Sequence, residues 1–211
     1  MSDMPFTPDV PVKRRVSKQA VATEERRDQI LDRAVEAFTA KGFNATSIRE
    51  IAVRTGMSHT GVLHHFPDKA ALLEAVLDRR VARAERDVRL DTTDGLEFLR
   101  GLVALTARDV AAPGDLAMYC VVAAEALAPE HPAHGYFARW YRMVRASARA
   151  ALEDLQSSGR YRPADLPLDA AAVQIAGLRD GLNQQWLLAP EEIDLVEAVR
   201  AQLQLYVTDE L

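Results

Sequence analysis

The sequence predicts an all-α chain of about nine helices, the first three forming a small N-terminal unit and the rest a larger helical body. Three observations predict it. Alanine and leucine are abundant, β-branched runs are rare and no alternating strand pattern stands out. Apolar residues recur every three to four positions through most of the chain, and 48% of the 211 residues are hydrophobic, enough for a packed core. Ser, Thr and Asp caps, glycines and prolines divide these periodic stretches at intervals that suit helices.

Taken in order, residues 1–22 contain Pro5, Pro8 and Pro11 and little periodicity, so they read as a flexible arm. Lys13-Arg14-Arg15 and Lys18 give that arm a basic run suited to phosphate attraction. Thr23 is placed to cap the first long helix, with Glu24 and Glu25 in its first turn and Ile30, Leu31, Ala34, Val35 and Phe38 as its buried stripe. Gly42 ends it, and Phe43 is set to fold back as the apolar partner of a glycine C-cap.

The stretch from Thr46 to Lys69 carries the function. Ser47 and Glu50 have capping-box spacing, and Ile48, Ile51 and Ala52 fall on one side of a helix. Gly56 supplies the positive φ of a sharp turn, Ser58 caps a second short helix, and Pro67 stops that helix at Phe66. Helix, glycine turn and short second helix make a helix-turn-helix, whose second helix enters the major groove of DNA.

At these residues the chain resembles the TetR family of bacterial transcriptional repressors. The resemblance runs through Ala37-Phe38-Thr39-Ala40-Lys41-Gly42-Phe43, Ala45 to Ala52, Gly56-Met57-Ser58, His65-Phe66 and Lys69 with Leu72-Leu73, about the first third of the chain. It implies double-stranded operator DNA, read as a palindrome, as the partner. Ser58, His59, Thr60, Gly61 and His64 are the exposed positions of the recognition helix. Thr46 and Ser47 offer a helix N-terminus to phosphate, and Lys69 matches the family lysine that contacts the backbone. Leu63-His64 stands where the family usually has a tyrosine pair, so that phosphate contact is absent or replaced.

Asp68 should cap a fourth helix running to about Leu90, long enough at about 30 Å to join head to body. Further helices follow from Asp94, from about Asp115 to Ala128, from about Pro132 to Ser158, from about Leu168 to Leu188, and from Pro190 to about Val207. The resulting units are the arm 1–22, a DNA-binding domain 23–69 and a ligand-binding and dimerisation domain 70–211. The resemblance implies a homodimer through the last two helices, where Ile175, Leu178, Leu182, Trp186, Ile193, Val196, Leu203 and Tyr206 supply apolar faces. It also implies a small-molecule effector in the body. Tyr119, Cys120, Glu125, Tyr136, Trp140, Arg179, Asn183, Gln184 and Trp186 mix aromatic and polar groups as such a site requires.

Charge and cysteine narrow the classes. The total charge is −5, but 13–69 holds 11 Lys/Arg and 7 Asp/Glu, a net of +4, whereas 70–211 holds 15 and 22, a net of −7. A basic head on an acidic body fits a DNA contact surface. The single Cys120 allows no internal disulfide, and no run reaches membrane-span length, so a cytoplasmic protein is expected. No nucleophile–base pair, phosphate loop or metal spacing stands out, so no catalysis, cofactor or metal is expected; Glu130, His131 and His134 read as a helix start. The alternative is an all-α carrier or enzyme acting through the body alone.

Overall fold

The computed structural model describes residues 18–87 and 93–211. Among them the chain forms α1 (Lys18–Ala45), α2 (Ile48–Thr55), α3 (His59–His65), α4 (Lys69–Asp87), α5 (Gly95–Ala111), α6 (Pro113–Glu125), α7 (His134–Ser157), α8 (Leu168–Leu188) and α9 (Leu195–Leu203), closed by a 3-10 turn at Gln204–Tyr206. The basic run Lys13-Arg14-Arg15 lies outside the described residues. Helix already begins at Lys18, five residues before the predicted Thr23 cap, so 18–22 belongs to α1 rather than to an arm.

Local chemistry sets the element ends. Ser47 Oγ accepts from the Glu50 amide at 3.2 Å and Ser58 Oγ from the Gly61 amide at 3.0 Å. Asp68 and Asp94 cap α4 and α5 in the same way. Gly56 takes the left-handed conformation (φ 66°) that closes α2. The capping box at Ser47 is only half made: the Glu50 carboxylate turns to Lys41 and Arg54, at 3.1 and 3.0 Å, and both partners hold its pKa down.

Two apolar clusters result. The first joins Ile30, Phe38 and Ile51 of the head to Val62, Phe66 and Leu72, and continues without a break into Met118, Val122 and Phe137 of α6 and α7. A division at residue 69 therefore does not separate two cores. The second cluster packs α5, α7, α8 and α9 around Leu99, Leu152, Ile175 and Leu203. Ile175, Trp186, Leu203 and Tyr206, expected on a dimer face, are buried here within the subunit, because α5 and α7 already cover that side of the last two helices.

α1 is interrupted at Gly42 (φ 76°, ψ 174°), a region open in practice only to glycine. A Cβ at this position would also collide with the Glu125 carboxylate. Gly42→Ala is expected to cost about 1–3 kcal/mol from the backbone alone. That lowers Tm by roughly 2–4 °C per kcal/mol in a chain of this size, read by thermal denaturation. Against a Glu125→Ala background the steric part of the loss should vanish and the backbone part remain.

Candidate nucleic-acid interface and effector cavity

The recognition helix α3 is short and pinned from three sides. Val62 and Phe66 enter the first core. Arg27 of α1 lies over the Phe66 ring, 4.4 Å from its centroid, and donates to the His65 carbonyl at 3.4 Å. With that side fixed, Ser58, His59, Thr60 and His64 are exposed on the other, and Gly61 is half-buried beside Ser58. On α2 and its cap, Ser47, Arg49, Val53 and Arg54 are exposed. Arg49 and Arg54 were not singled out from sequence. Two basic side chains on the short helix just before the glycine turn, close to the Ser47 cap, are the signal that could have found them.

Two expected phosphate contacts are placed otherwise. Thr46 is buried, with its hydroxyl donating to the carbonyls of Gly42 at 2.7 Å and Ala37 at 3.2 Å, so it closes α1 instead of facing outward. Lys69 is turned inward. Its ammonium donates to the carbonyls of Phe43 and Thr46, each at 2.8 Å, and Asn44 at 3.3 Å, and sits 4.1 Å from the Phe43 ring centroid. Burial lowers its pKa, opposed by the nearby Glu125 charge.

Glu125, expected in the effector site, belongs to this same corner. At the end of α6 its carboxylate accepts from the Phe43 amide at 2.6 Å and the Asn44 amide at 3.3 Å. His131, its pKa lowered by burial, packs edge-on against Phe43 at 4.9 Å. The body thus holds the head at the turn that leads into α2.

The body contains a cavity of about 510 Å³ between α4, α5, α7 and α8. Phe98, Leu102, Leu105, Val144, Ala148 and Ile175 make its walls mainly apolar. Of the predicted effector residues, Tyr119, Trp140 and Arg179 line it; Tyr141 and Asp180, not foreseen, line it too. The remaining expectations fall elsewhere. Cys120 packs between the two cores, where burial pushes its thiol up to about 11. Tyr136 faces a groove between α4 and α7, Gln184 is exposed, and Trp186 is core. Asn183 is buried outside the cavity lining, its side-chain amide without a partner.

An ion cluster closes one end of the cavity. Asp109 of α5, 1% exposed, accepts from Arg80 of α4 at 2.9 Å and from Arg179 of α8 at 2.6 Å. Burial raises the pKa of Asp180, and raises Tyr119 to about 12. Arg83 of α4 reaches Asp115 of α6 at 3.3 Å, and Arg79 reaches Asp32 of α1 at 2.9 Å, so α4 is tied by charge to three helices, α1, α5 and α6. Among the described residues no group of three or more His, Cys, Asp or Glu is arranged to hold a metal.

A helix-turn-helix head on a helical body with an apolar cavity defines a DNA-binding transcriptional regulator. Residues 30–76 match the model of the bacterial regulatory proteins, tetR family. The chain is 27% identical over 196 residues to the transcriptional regulator TtgR of Pseudomonas putida, covering 87% of this chain and 89% of that one. It is 23% identical over 188 residues to AcrR of Shigella flexneri, covering 84% and 85%. The solved complex of SmeT with triclosan superposes with a TM-score of 0.72 at 20% identity, over 88% of this chain and 93% of that one. The helix-turn-helix head thus matches the TetR family, and the chain over most of its length is similar to these regulators.

Asp109→Asn removes a carboxylate held between two largely buried guanidinium groups. A cost of about 3–5 kcal/mol is expected, as for other broken buried pairs, read by urea denaturation. Asp109→Asn combined with Arg80→Met should recover part of it.

Proposed function

We propose that this regulator is a repressor that binds a two-fold operator as a homodimer and is released when a small apolar molecule fills the body cavity. The observation that carries the DNA reading is the outward face of α3: Ser58, His59, Thr60 and His64 stand exposed on a helix whose inner side is locked by Val62, Phe66 and Arg27. Hydroxyls and imidazoles at those positions are in place for base edges, while Ser47, Arg49 and Arg54 flank them for phosphate. Lys69 holds the turn in this arrangement and contributes to the local positive potential, rather than making a direct phosphate contact. The SmeT complex with triclosan supports a small-molecule effector, and the 510 Å³ cavity has the size and lining such a ligand needs.

The dimer reading rests on an outer face of α8 that keeps Leu178 of the sequence expectation and leaves out Ile175 and Trp186, which are core. Val173, Leu178 and Leu188 of α8 and Leu205 after α9 are exposed. Gly177 and Gly181 lie on the same open side of α8, where an added Cβ would meet nothing within 4 Å. Glycines inside a helix cost about 1 kcal/mol each against alanine, a cost that close approach of a second helix offsets. Gln184 sits on this side as well. No helix among the described residues is long and apolar enough to cross a membrane, so the exposed apolar side chains are read as protein-facing.

The DNA test is a salt titration on the region upstream of the protein's own gene, against scrambled DNA of equal length. Specific binding should weaken steeply with salt, His59→Ala and His64→Ala should each cost about tenfold on the specific site, and Arg49→Ala should reduce the salt slope by about one. No binding to either DNA at low salt would sink the reading and return the body to a carrier or enzyme role. For the dimer, sedimentation equilibrium should give two subunits for the wild type and one for Gly177→Glu; two subunits in both would rule out this face.

A further inference from the structure

The cavity wall carries an incomplete set of hydrogen bonds. Arg179 lines the cavity and spends one amino group on Asp109, at 2.6 Å, one bond of the five that its N–H groups can donate. A guanidinium is donor-only, so what this position lacks is an acceptor. The next residue on α8, Asp180, lines the same cavity, as does Tyr141. A carboxylate offers about four acceptor sites and, when ionised, no donor. The wall therefore presents a donor and an acceptor on adjacent residues, inside a chamber otherwise lined by Phe98, Leu102, Trp140 and Ile175.

Charge decides which head group suits this pair. Arg80, Arg179, Asp109 and Asp180 sum to zero, with both oxygens of Asp109 already engaged. An organic cation near Asp180 would also face the Arg179 guanidinium, and an organic anion near Arg179 would face Asp180. Either would leave one uncompensated charge in an apolar chamber. A neutral group that accepts and donates at once satisfies both side chains and leaves the balance untouched.

We propose that the effector is an uncharged, ring-bearing apolar molecule whose polar head accepts from the Arg179 guanidinium and donates to Asp180. This rests on the effector reading above, and it narrows that reading to a chemical class. Trp140 in the cavity wall supplies the readout. Its fluorescence is followed at neutral pH, without DNA, against four probes of matched size: para-pentylphenol, para-pentylanisole, para-pentylbenzoate and para-pentyl-trimethylanilinium. The phenol should bind about tenfold tighter than the anisole, which accepts but cannot donate, and at least as far ahead of both ions. Asp180→Asn keeps the shape of the site; it should narrow the advantage of the phenol over the anisole and raise affinity for the anion. Either ion binding tightest, equal binding of phenol and anisole, or no phenol binding at millimolar concentration overturns the proposal. The wild-type ranking stands as a test even if the variant misfolds. A separate arm follows release of bound operator DNA by the phenol. Binding in the expected order with the DNA complex unchanged would leave the cavity chemistry intact and remove the effector reading instead.

Discussion

The head is held in place by one carboxylate seated on two amides. Gly42 adopts a backbone conformation that no side chain tolerates, and this turns the amides of Phe43 and Asn44 toward α6, where Glu125 accepts from both. Lys69 binds the carbonyls of the same turn from the other side. Backbone groups at the end of α1 are left without helical partners, and here they are satisfied by one anion from the body and one cation from the start of α4. Charge-assisted bonds of this kind are roughly twice as strong as neutral ones. The turn they fix leads straight into α2, so the orientation of the helix-turn-helix depends on where α6 ends.

The second constraint is the ion cluster at Asp109. A buried ion pair is weak grounds for net stability, since desolvating three charged groups offsets much of their attraction. Its value lies in what it excludes. With both oxygens bound to guanidinium groups on different helices, Asp109 tolerates only arrangements in which α4 and α8 keep their present spacing. α4 begins at Lys69, in the turn that holds the head, and Arg80 sits three turns later. Arg179 lines the cavity. One chain of charged contacts thus joins the chamber wall to the helix that carries the head.

What the sequence made legible follows from distance along the chain. Ser47, Ser58, Asp68 and Asp94 were found as caps because a cap and its amides lie within three residues. Gly56 and the Phe66-Pro67 stop were equally local. The fates of Thr46, Lys69 and Glu125 were not legible, because each is settled by a partner brought in by the fold: Ala37 for Thr46, Phe43 for Lys69, and the same Phe43 turn for Glu125, 82 residues away. Family resemblance pointed Lys69 outward, and the carbonyls of three residues draw it in. The body was read less well for the same reason. Aromatic residues at helical spacing serve a core or a cavity equally, and only the packing of α5 and α7 separates Trp140 on the wall from Trp186 in the interior. Asp109 and Arg80 gave no signal at all, since a lone aspartate in an apolar helix reads as surface until its partners are known.

These two constraints bear on how a ligand could alter DNA affinity. A ligand shifts an equilibrium only by its differential affinity for the two arrangements, so tight binding alone moves nothing. In the arrangement seen here Arg179 lines the chamber with one amino group held on Asp109. A head group that accepts from Arg179 without displacing Asp109 would favour the present spacing of α4 and α8. One that draws the guanidinium into the chamber would leave Asp109 with Arg80 alone and loosen that spacing. Only the second outcome loosens the tie between the chamber wall and α4. The sign of the response is therefore set by how far into the chamber the acceptor sits, and not by how strongly it binds.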